Sequence, residues 1–376
     1  MTRVQTTHIG SLPGPPGFRV HDAAGHREAV AWVVDKQRAA GLDIINEGEL
    51  TKGGDWLAYL DERFGGFEAR PPSNATPLIL QGLDREKFAE FYRYAAERKT
   101  LFYAEDERMK AARPHWVCTS PITYRGTDAL NRELETFRSC VASTQNCFVT
   151  ATAPASLEPY RTNAFYKSEE EYVFALAEAL RTEYEAIVQA GFTLQVDDAW
   201  LLALWDRIGI PMGLPAYLKH CQIRIDALNH ALRNIAEESI RYHLCWGSWH
   251  GPHEFDLPMK DIVSSMLRVR ARTYLFEAAN PRHEHEFVVW ETVKLPQHKI
   301  IAPGCVTHST DIVEHPELVA QRIDRFAQLV GRDRVIAGTD CGFGGRCHPQ
   351  VAWAKLDALA RGAAIASSRA APLRVA

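Results

Sequence analysis

The sequence lacks several features that mark particular protein classes. No apolar run approaches the roughly 18 residues that a membrane-spanning helix needs. Basic and acidic residues nearly balance, 43 against 47, and the formal net charge is −4. We therefore expect neither a membrane protein nor one whose main partner is nucleic acid. The first residues, MTRVQTTHIGSLPGPP, lack the apolar segment of a secretion signal, so we expect a cytoplasmic protein.

Cysteine is present, but without the dense spacing of a small disulfide-stabilised domain. The eight cysteines lie at positions 118, 140, 147, 221, 245, 305, 341 and 347. In a long chain without a secretion signal, such spacing favours reduced thiols. Some of these thiols are then available as metal ligands.

No glycine-rich dinucleotide-binding fingerprint follows any predicted strand, which weighs against an open doubly wound sheet. The pattern that is present is a helix followed by a strand, in residues 26–48, 172–198, 220–247 and 316–340. Repeated helix–strand alternation predicts a parallel sheet. The number of units favours an α/β fold of the (β/α)8 type, a TIM barrel.

A TIM barrel needs about 250 residues, so part of this chain must lie outside the barrel. The segment at about 57–135 is charged and aromatic and shows no clear strand alternation. We expect it to be a mainly helical insertion, and residues 1–376 to form a single domain.

Polar residues follow the predicted strands at their carboxyl ends. In a TIM barrel these ends share one rim, where active sites lie. The residues at or just past the strand ends are Glu49, Asp197, Asp198, His243, Cys245, Glu277, His308 and Cys341.

The pattern His243-x-Cys245 puts an imidazole and a thiol on one face of a strand. Together with a thiol from another strand end, such a pair suits zinc, and Cys341 in TDCGFGG is the natural third donor. Three protein ligands also leave a position for a substrate. His283 and His285 form a competing H-x-H pair, but in a charged loop this pattern is more typical of a solvated surface.

Several short motifs carry a family resemblance: THIGSLP, NEGEL, LQVDDAW, HLC, FEAAN, VTHST and TDCGFGGR. In this order they resemble the catalytic C-terminal barrel of the zinc-dependent, cobalamin-independent methionine synthases. The resemblance covers most of the chain and is weakest across 57–135. The chain length and HLCWGSWHGPH are similar to a short single-barrel branch that includes epoxyalkane:coenzyme M transferases.

This resemblance implies a Zn²⁺ site and a set of substrate contacts. The implied zinc ligands are His243, Cys245 and Cys341, with Glu277 as the fourth. The implied substrate-binding residues are Ile9, Gly10, Ser11, Glu49 and Asp197: the first three receive a carboxylate on backbone amides, and the two acidic residues hold an amino group. His308 matches the family's proton donor to the leaving group.

The sequence departs from the family at two motifs, so the substrates stay open. The family's Q-I-D-E-P is QVDDA at 195–199, and its H-S-P is HST at 308–310. We expect a small-molecule thiol as the acceptor and either a reduced folate or an epoxide as the alkyl donor. The alternatives are methyl transfer to homocysteine, epoxide opening by a sulfonate thiol such as coenzyme M, and a non-catalytic barrel with structural zinc.

Further residues are candidates for substrate contacts. Those for the alkyl donor are Trp246, Trp249 and His253. The cations that a sulfonate thiol would require are Lys52, Arg241 and Arg346. Assembly into a homo-oligomer is left open by the sequence.

Overall fold

The structure, a computed structural model, describes residues 3–18, 23–52, 58–71, 78–102 and 115–369. Its strands are β1 (Phe64–Arg70), β2 (His115–Tyr124), β3 (Phe148–Thr152), β4 (Arg161–Asn163), β5 (Thr193–Asp198), β6 (Ile240–Leu244), β7 (Thr273–Phe276), β8 (Ile300–Val306) and β9 (Gly338–Thr339). Six of them form one parallel sheet in the order β3-β5-β6-β7-β8-β9.

Two short segments near the amino terminus close this sheet into a barrel. Thr6 bridges Ala337 next to β9, and Ile45 bridges Cys147 next to β3, both in parallel. The two segments also bond to each other, because the amide of Ile44 donates to the carbonyl of Thr6 at 3.0 Å. Eight parallel segments therefore surround the axis, which confirms the predicted TIM barrel.

Helices alternate with the barrel strands, as the sequence pattern predicts. The α-helices are His26–Ala39, Leu83–Lys87, Ala89–Arg98, Thr127–Ser139, Pro154–Leu157, Glu169–Gln189, Trp200–Ala203, Ile210–Met212, Leu214–Ala231, Met259–Met266, Val289–Thr292, Pro316–Val330 and Pro349–Ser368. The helix Glu169–Gln189 begins at Ser168, whose hydroxyl accepts the amide of Glu171 at 3.1 Å. Within the described residues, no helix has both the length and the apolarity to span a bilayer.

The barrel interior contains both apolar and polar side chains. Ile9, Leu275, Ala302 and Ile336 form a small apolar cluster of their own. Arg241 is also buried; its guanidinium donates to the Thr7 hydroxyl at 2.9 Å and to the His8 carbonyl at 3.0 Å. Burial lowers the pKa of Arg241 to about 9. This side chain fixes the segment that leads into residues 9–11.

The segment predicted as a mainly helical insertion contains helices and also two strands of a second sheet, which the sequence pattern did not predict. Strands β1 and β2 pair antiparallel, and β4 runs parallel to β2. The sequence shows no clear strand alternation for this sheet, because β1 contains two glycines and its register shifts between Gly65 and Phe67. A Cβ on Gly66 would lie 2.7 Å from the carbonyl oxygen of Pro121, so the strands approach closely there. Residues 57, 72–77 and 103–114 of this segment lie outside the described residues.

A buried ionic network joins the inserted sheet to the barrel helix Glu169–Gln189. The carboxylate of Glu183 accepts hydrogen bonds from Tyr59 at 2.8 Å, Tyr124 at 2.6 Å and Arg63 at 3.3 Å. Arg63 also pairs with Glu133, and only 4% of its side chain is exposed. The guanidinium therefore contacts two carboxyl groups at once.

Replacing Arg63 with methionine should destabilise the protein by about 3–5 kcal/mol, because two carboxylates lose their buried partner. The measurement is the urea midpoint of unfolding, followed by fluorescence. The matched control is Arg361→Met: its pair with Asp357 is 67% and 55% exposed, so the change should cost under about 0.5 kcal/mol. Equal midpoints for the two variants would contradict the network's role.

Candidate metal and substrate site

Three donor side chains meet at the carboxyl rim of the barrel. His243 lies near the end of β6, Cys245 follows that strand, and Cys341 follows β9. One ring nitrogen of His243 and the two sulfur atoms all lie within 4.8 Å of one another, and all three residues are buried. Ligands on a zinc tetrahedron are about 3.3–3.8 Å apart, so this group could hold such an ion.

His243 is oriented by Asp197 on the neighbouring strand β5. Its Nδ1 lies 2.9 Å from Oδ1 of Asp197, which also accepts the side-chain amide of Gln195 at 2.9 Å. Burial lowers the pKa of His243, but the hydrogen bond and charge of Asp197 outweigh it, so the pKa is raised. Nε2 is buried and has no hydrogen-bond partner among the described residues. A metal-binding histidine typically has a carboxylate bonded to one ring nitrogen, which leaves the other nitrogen available for the metal.

The two thiols form a coupled pair. The hydrogen bond between them lowers the pKa of Cys341 well below its usual value, against burial, and raises the pKa of Cys245. The amide of Gly247 donates to the sulfur of Cys245 at 3.2 Å. Two sulfurs that share a proton in a buried site can exchange that proton for a metal ion.

Glu277, the implied fourth ligand, borders the donor group. The thiol of Cys245 lies 3.7 Å from its Oε1, which also accepts the amide of Trp246 at 3.0 Å. Asn280 donates to the other oxygen at 2.8 Å. Burial raises the pKa of Glu277 to about 8. Glu277 therefore lies against the predicted site, but it is not one of the three mutually close donors.

A second group of donors consists of Glu277, His308 and Asp340, whose ligand atoms lie within 4.8 Å of one another. Asp340 accepts the amides of Ala278 and Ala279 at 2.7 and 2.8 Å and so fixes the loop that carries Glu277. Nothing in the sequence pattern indicated this role, although Asp340 directly precedes Cys341. Burial lowers the pKa of His308 well below its usual value, so its ring is neutral at pH 7.

The residues implied to bind the acceptor also converge on this rim. The carbonyl of Ser11 accepts the amides of Phe343 and Gly344 at 2.8 and 3.0 Å, so the turn at 9–11 packs on the loop after Cys341. A Cβ on Gly10 would lie 2.4 Å from Oε1 of Glu49. Burial raises the pKa of Glu49 to about 7, Lys52 opposes this, and Asp197 adds to it. Only glycine at position 10 permits this close approach to the carboxylate.

The loop after Cys245 does not present both tryptophans to a ligand. Trp246 is 1% exposed, donates to the carbonyl of Leu257 at 2.7 Å and packs in the core, which does not favour its predicted role as a donor-binding residue. Trp249 is half-buried, and the ring of His253 stacks on it with centroids 4.1 Å apart. Trp249 and His253 therefore form one aromatic wall above the site.

His283 also departs from its expected place on a solvated surface. It is buried, and its ring nitrogens lie 3.2 Å from Asp256 and 2.9 Å from Glu286. Burial lowers the pKa of His283, but these carboxylates raise it to about 10. His283 is thus a charged structural residue beneath the loop.

The inserted segment holds this loop in place through Asp84. The carboxylate of Asp84 accepts the Tyr92 hydroxyl at 2.7 Å and the amides of His253 and Glu254 at 3.2 and 2.9 Å. Trp249 donates in turn to the Tyr92 hydroxyl at 3.1 Å. The insertion therefore shapes the wall of the site, a role that the sequence pattern did not indicate.

The three cations considered for a sulfonate thiol all contact protein groups. Lys52 donates to both oxygens of Thr150, and Arg241 binds the segment at 7–8. Arg346 donates to the hydroxyl of Ser248 and, at 3.1 Å, to the carbonyl of Gly344. These contacts do not favour a sulfonate as the acceptor's anionic group.

The chain is similar in sequence to several proteins named methionine synthase. No protein-family profile matches it. It is 22% identical over 352 residues to a methionine synthase of Saccharolobus solfataricus, covering 90% of this chain and 87% of that protein. It is 25% identical over 320 residues to a methionine synthase of Thermococcus kodakarensis, covering 84% and 76%.

Solved structures show the same fold. A B12-independent methionine synthase from a Shewanella species, in complex with selenomethionine, has a TM-score of 0.72 at 17% identity and covers 97% of this chain and 98% of that one. A methyltransferase from Methanosarcina mazei has a TM-score of 0.53 at 13% identity, covering 96% and 94%. The resemblance drawn from the sequence motifs is thereby confirmed: the chain is a distant homologue of the methionine synthases and has the fold of the B12-independent ones.

Proposed function

We propose that the protein is a zinc-dependent thiol S-methyltransferase that transfers a methyl group from a reduced folate to homocysteine or a similar amino thiol. The observation that carries the proposal is a buried His-Cys-Cys donor group in which Nε2 of His243 has no partner among the described residues, while Nδ1 of the same ring lies 2.9 Å from the predicted acceptor-binding residue Asp197. The names of the relatives support a methyltransferase and give no support to the epoxide-opening alternative.

His243, Cys245 and Cys341 would hold the zinc, with the adjacent carboxylate of Glu277 as the fourth ligand. Zinc supplies the Lewis acidity that brings the pKa of a thiol from about 8.5 into the neutral range. Asp197 holds the ring of His243 through Nδ1, so Nε2 would be the atom that binds the metal. The site is buried, which excludes water that would compete with the acceptor.

The acceptor is held by groups on the other side of the rim. Glu49 takes the ammonium group, and the backbone of residues 9–11 takes the carboxylate. Burial raises the pKa of Glu49, and the negative charge of the neighbouring Asp197 adds to that rise. This arrangement orients the sulfur toward the methyl donor.

During transfer the sulfur forms a bond to the methyl carbon while the bond from that carbon to the folate nitrogen breaks. The nitrogen then needs a proton. We assign the delivery of that proton to His308: because burial lowers the pKa of its ring, the ring is a strong acid once it has taken up a proton from the medium, and gives that proton up readily. The carboxyl groups of Glu277 and Asp340 border the ring, with ligand atoms within 4.8 Å. Trp249 and His253 form the wall that faces the donor.

We also propose that residues 1–376 work as a single domain. Asp84 and the Arg63 network tie the inserted segment to the loop over the site and to the barrel.

Replacing Cys341 with serine should lower zinc content from about one ion per chain to well below half, because a neutral hydroxyl replaces one of the anionic donors. The measurement is elemental analysis of the purified protein after dialysis. Cys140→Ser changes a half-exposed thiol outside the donor group and should retain the metal. Equal zinc in both variants would contradict the assigned ligands.

Thiol consumption by the zinc-loaded protein tests the reaction. Homocysteine with methyl-folate should be consumed, coenzyme M with a small epoxide should not, and removal of zinc by a chelator should abolish the activity. Glu49→Ala should raise KM for homocysteine by at least about tenfold, the loss of a charge-assisted contact. Full activity without metal, or turnover with the epoxide alone, would overturn the proposal.

A further inference from the structure

Lys52 is a buried lysine close to the predicted acceptor site, and it has no role in the mechanism above. It is 3% exposed. Its ammonium donates to the hydroxyl of Thr150 at 2.8 Å and to the carbonyl of the same residue, and it lies 5.1 Å from the ring centroid of Tyr59. A turn places it there, because its amide donates to the carbonyl of Glu49 at 3.2 Å.

Thr150 connects Lys52 to Glu49 through two hydrogen bonds. The hydroxyl accepts from Lys52, so its own hydrogen is free to donate to Oε1 of Glu49 at 2.9 Å. Gly10 closes the other side of that oxygen, since a Cβ there would meet both Oε1 and the methyl group of Thr150. The Glu49 carboxylate is thus held in one orientation by a relay that begins at Lys52.

Charges of both signs surround Glu49. The groups that act on it are the carboxylates of Glu47 and Asp197, the ammonium of Lys52 and the hydroxyl of Thr150. Asp197 is in turn bonded to His243 at 2.9 Å and acts on the guanidinium of Arg241. Lys52 is therefore the cation that acts on Glu49 itself, and an ionised Glu49 attracts the ammonium group of a ligand.

We propose that Lys52 is a positioning residue that, through Thr150, keeps the Glu49 carboxylate oriented and ionised for the ammonium group of the acceptor thiol. The acceptor is then an amino thiol, and Lys52 does not itself bind the acceptor's acid group. This inference rests on the proposed function, because it concerns the same site.

The test compares two thiols that differ only in the amino group, homocysteine and its desamino analogue 4-sulfanylbutanoate. Their binding to the zinc-loaded protein is measured by calorimetry. Lys52→Met should weaken homocysteine binding by about tenfold or more at neutral pH and change binding of the analogue by less than about twofold. Lys52→Arg keeps the charge and should restore much of the preference.

The pH dependence gives a second readout. Glu49 must lose its proton to hold an ammonium group, so the preference for homocysteine should rise with pH through about 7 in the wild type. Without the Lys52 charge the pKa of Glu49 is higher. The rise should therefore move to higher pH in Lys52→Met.

Two matched controls separate this role from a structural one. Lys299→Met removes another buried ammonium, bound to Glu237 at 2.5 Å and to the carbonyl of Ala271 at 2.7 Å before β8, and should leave the preference intact. Should Lys52→Met not fold, Thr150→Val removes the connecting hydroxyl and should lose the preference, while Thr150→Ser retains it.

Equal weakening of both thiols in Lys52→Met, or no weakening of either, overturns the inference. The binding readout also keeps it distinct from the reaction. A wild-type protein that prefers homocysteine but transfers no methyl group would contradict the proposed function without contradicting the role of Lys52. A wild-type protein that binds the two thiols equally would overturn the role of Lys52, whatever its activity.

Discussion

The hydrogen bond between His243 and Asp197 is the contact on which the site depends. The two residues are register partners on adjacent parallel strands, so the barrel itself brings imidazole and carboxylate together. The bond fixes the ring, frees Nε2 for a metal and places negative charge beside Glu49. A shift of β5 against β6 by one residue would turn the carboxylate to the opposite face and separate the two halves of the site.

Much of the rim could be predicted from the sequence, because the strand period of two determines which residues share a face. His243, Cys245 and Cys341 were predicted in this way, and the structure brings them together. The packing of individual side chains could not be predicted from the sequence. Trp246 turns into the core, and His283 is buried between two carboxylates that nothing in the H-x-H pattern specified. The inserted sheet was missed because β1 and β2 pair over a long stretch of chain, and glycine hides the strand signal.

Burial gives the site its electrostatic character. Glu49 and Glu277 both have raised pKa values because they are removed from water. The same burial makes each remaining cation effective, since its charge is poorly screened. Lys52 thus opposes the rise in the pKa of Glu49, and His283 opposes the rise in the pKa of Glu277. The inserted segment holds the loop that follows Cys245 in place at His253.

The closure of the barrel pairs Thr6 with the distant Ala337. The first strand therefore keeps one edge unpaired until the segment around Ala337 has folded. Cys341 follows β9 directly in the same segment. Closure of the barrel and assembly of the donor group consequently depend on the same few residues, so metal capture would report that the barrel has closed.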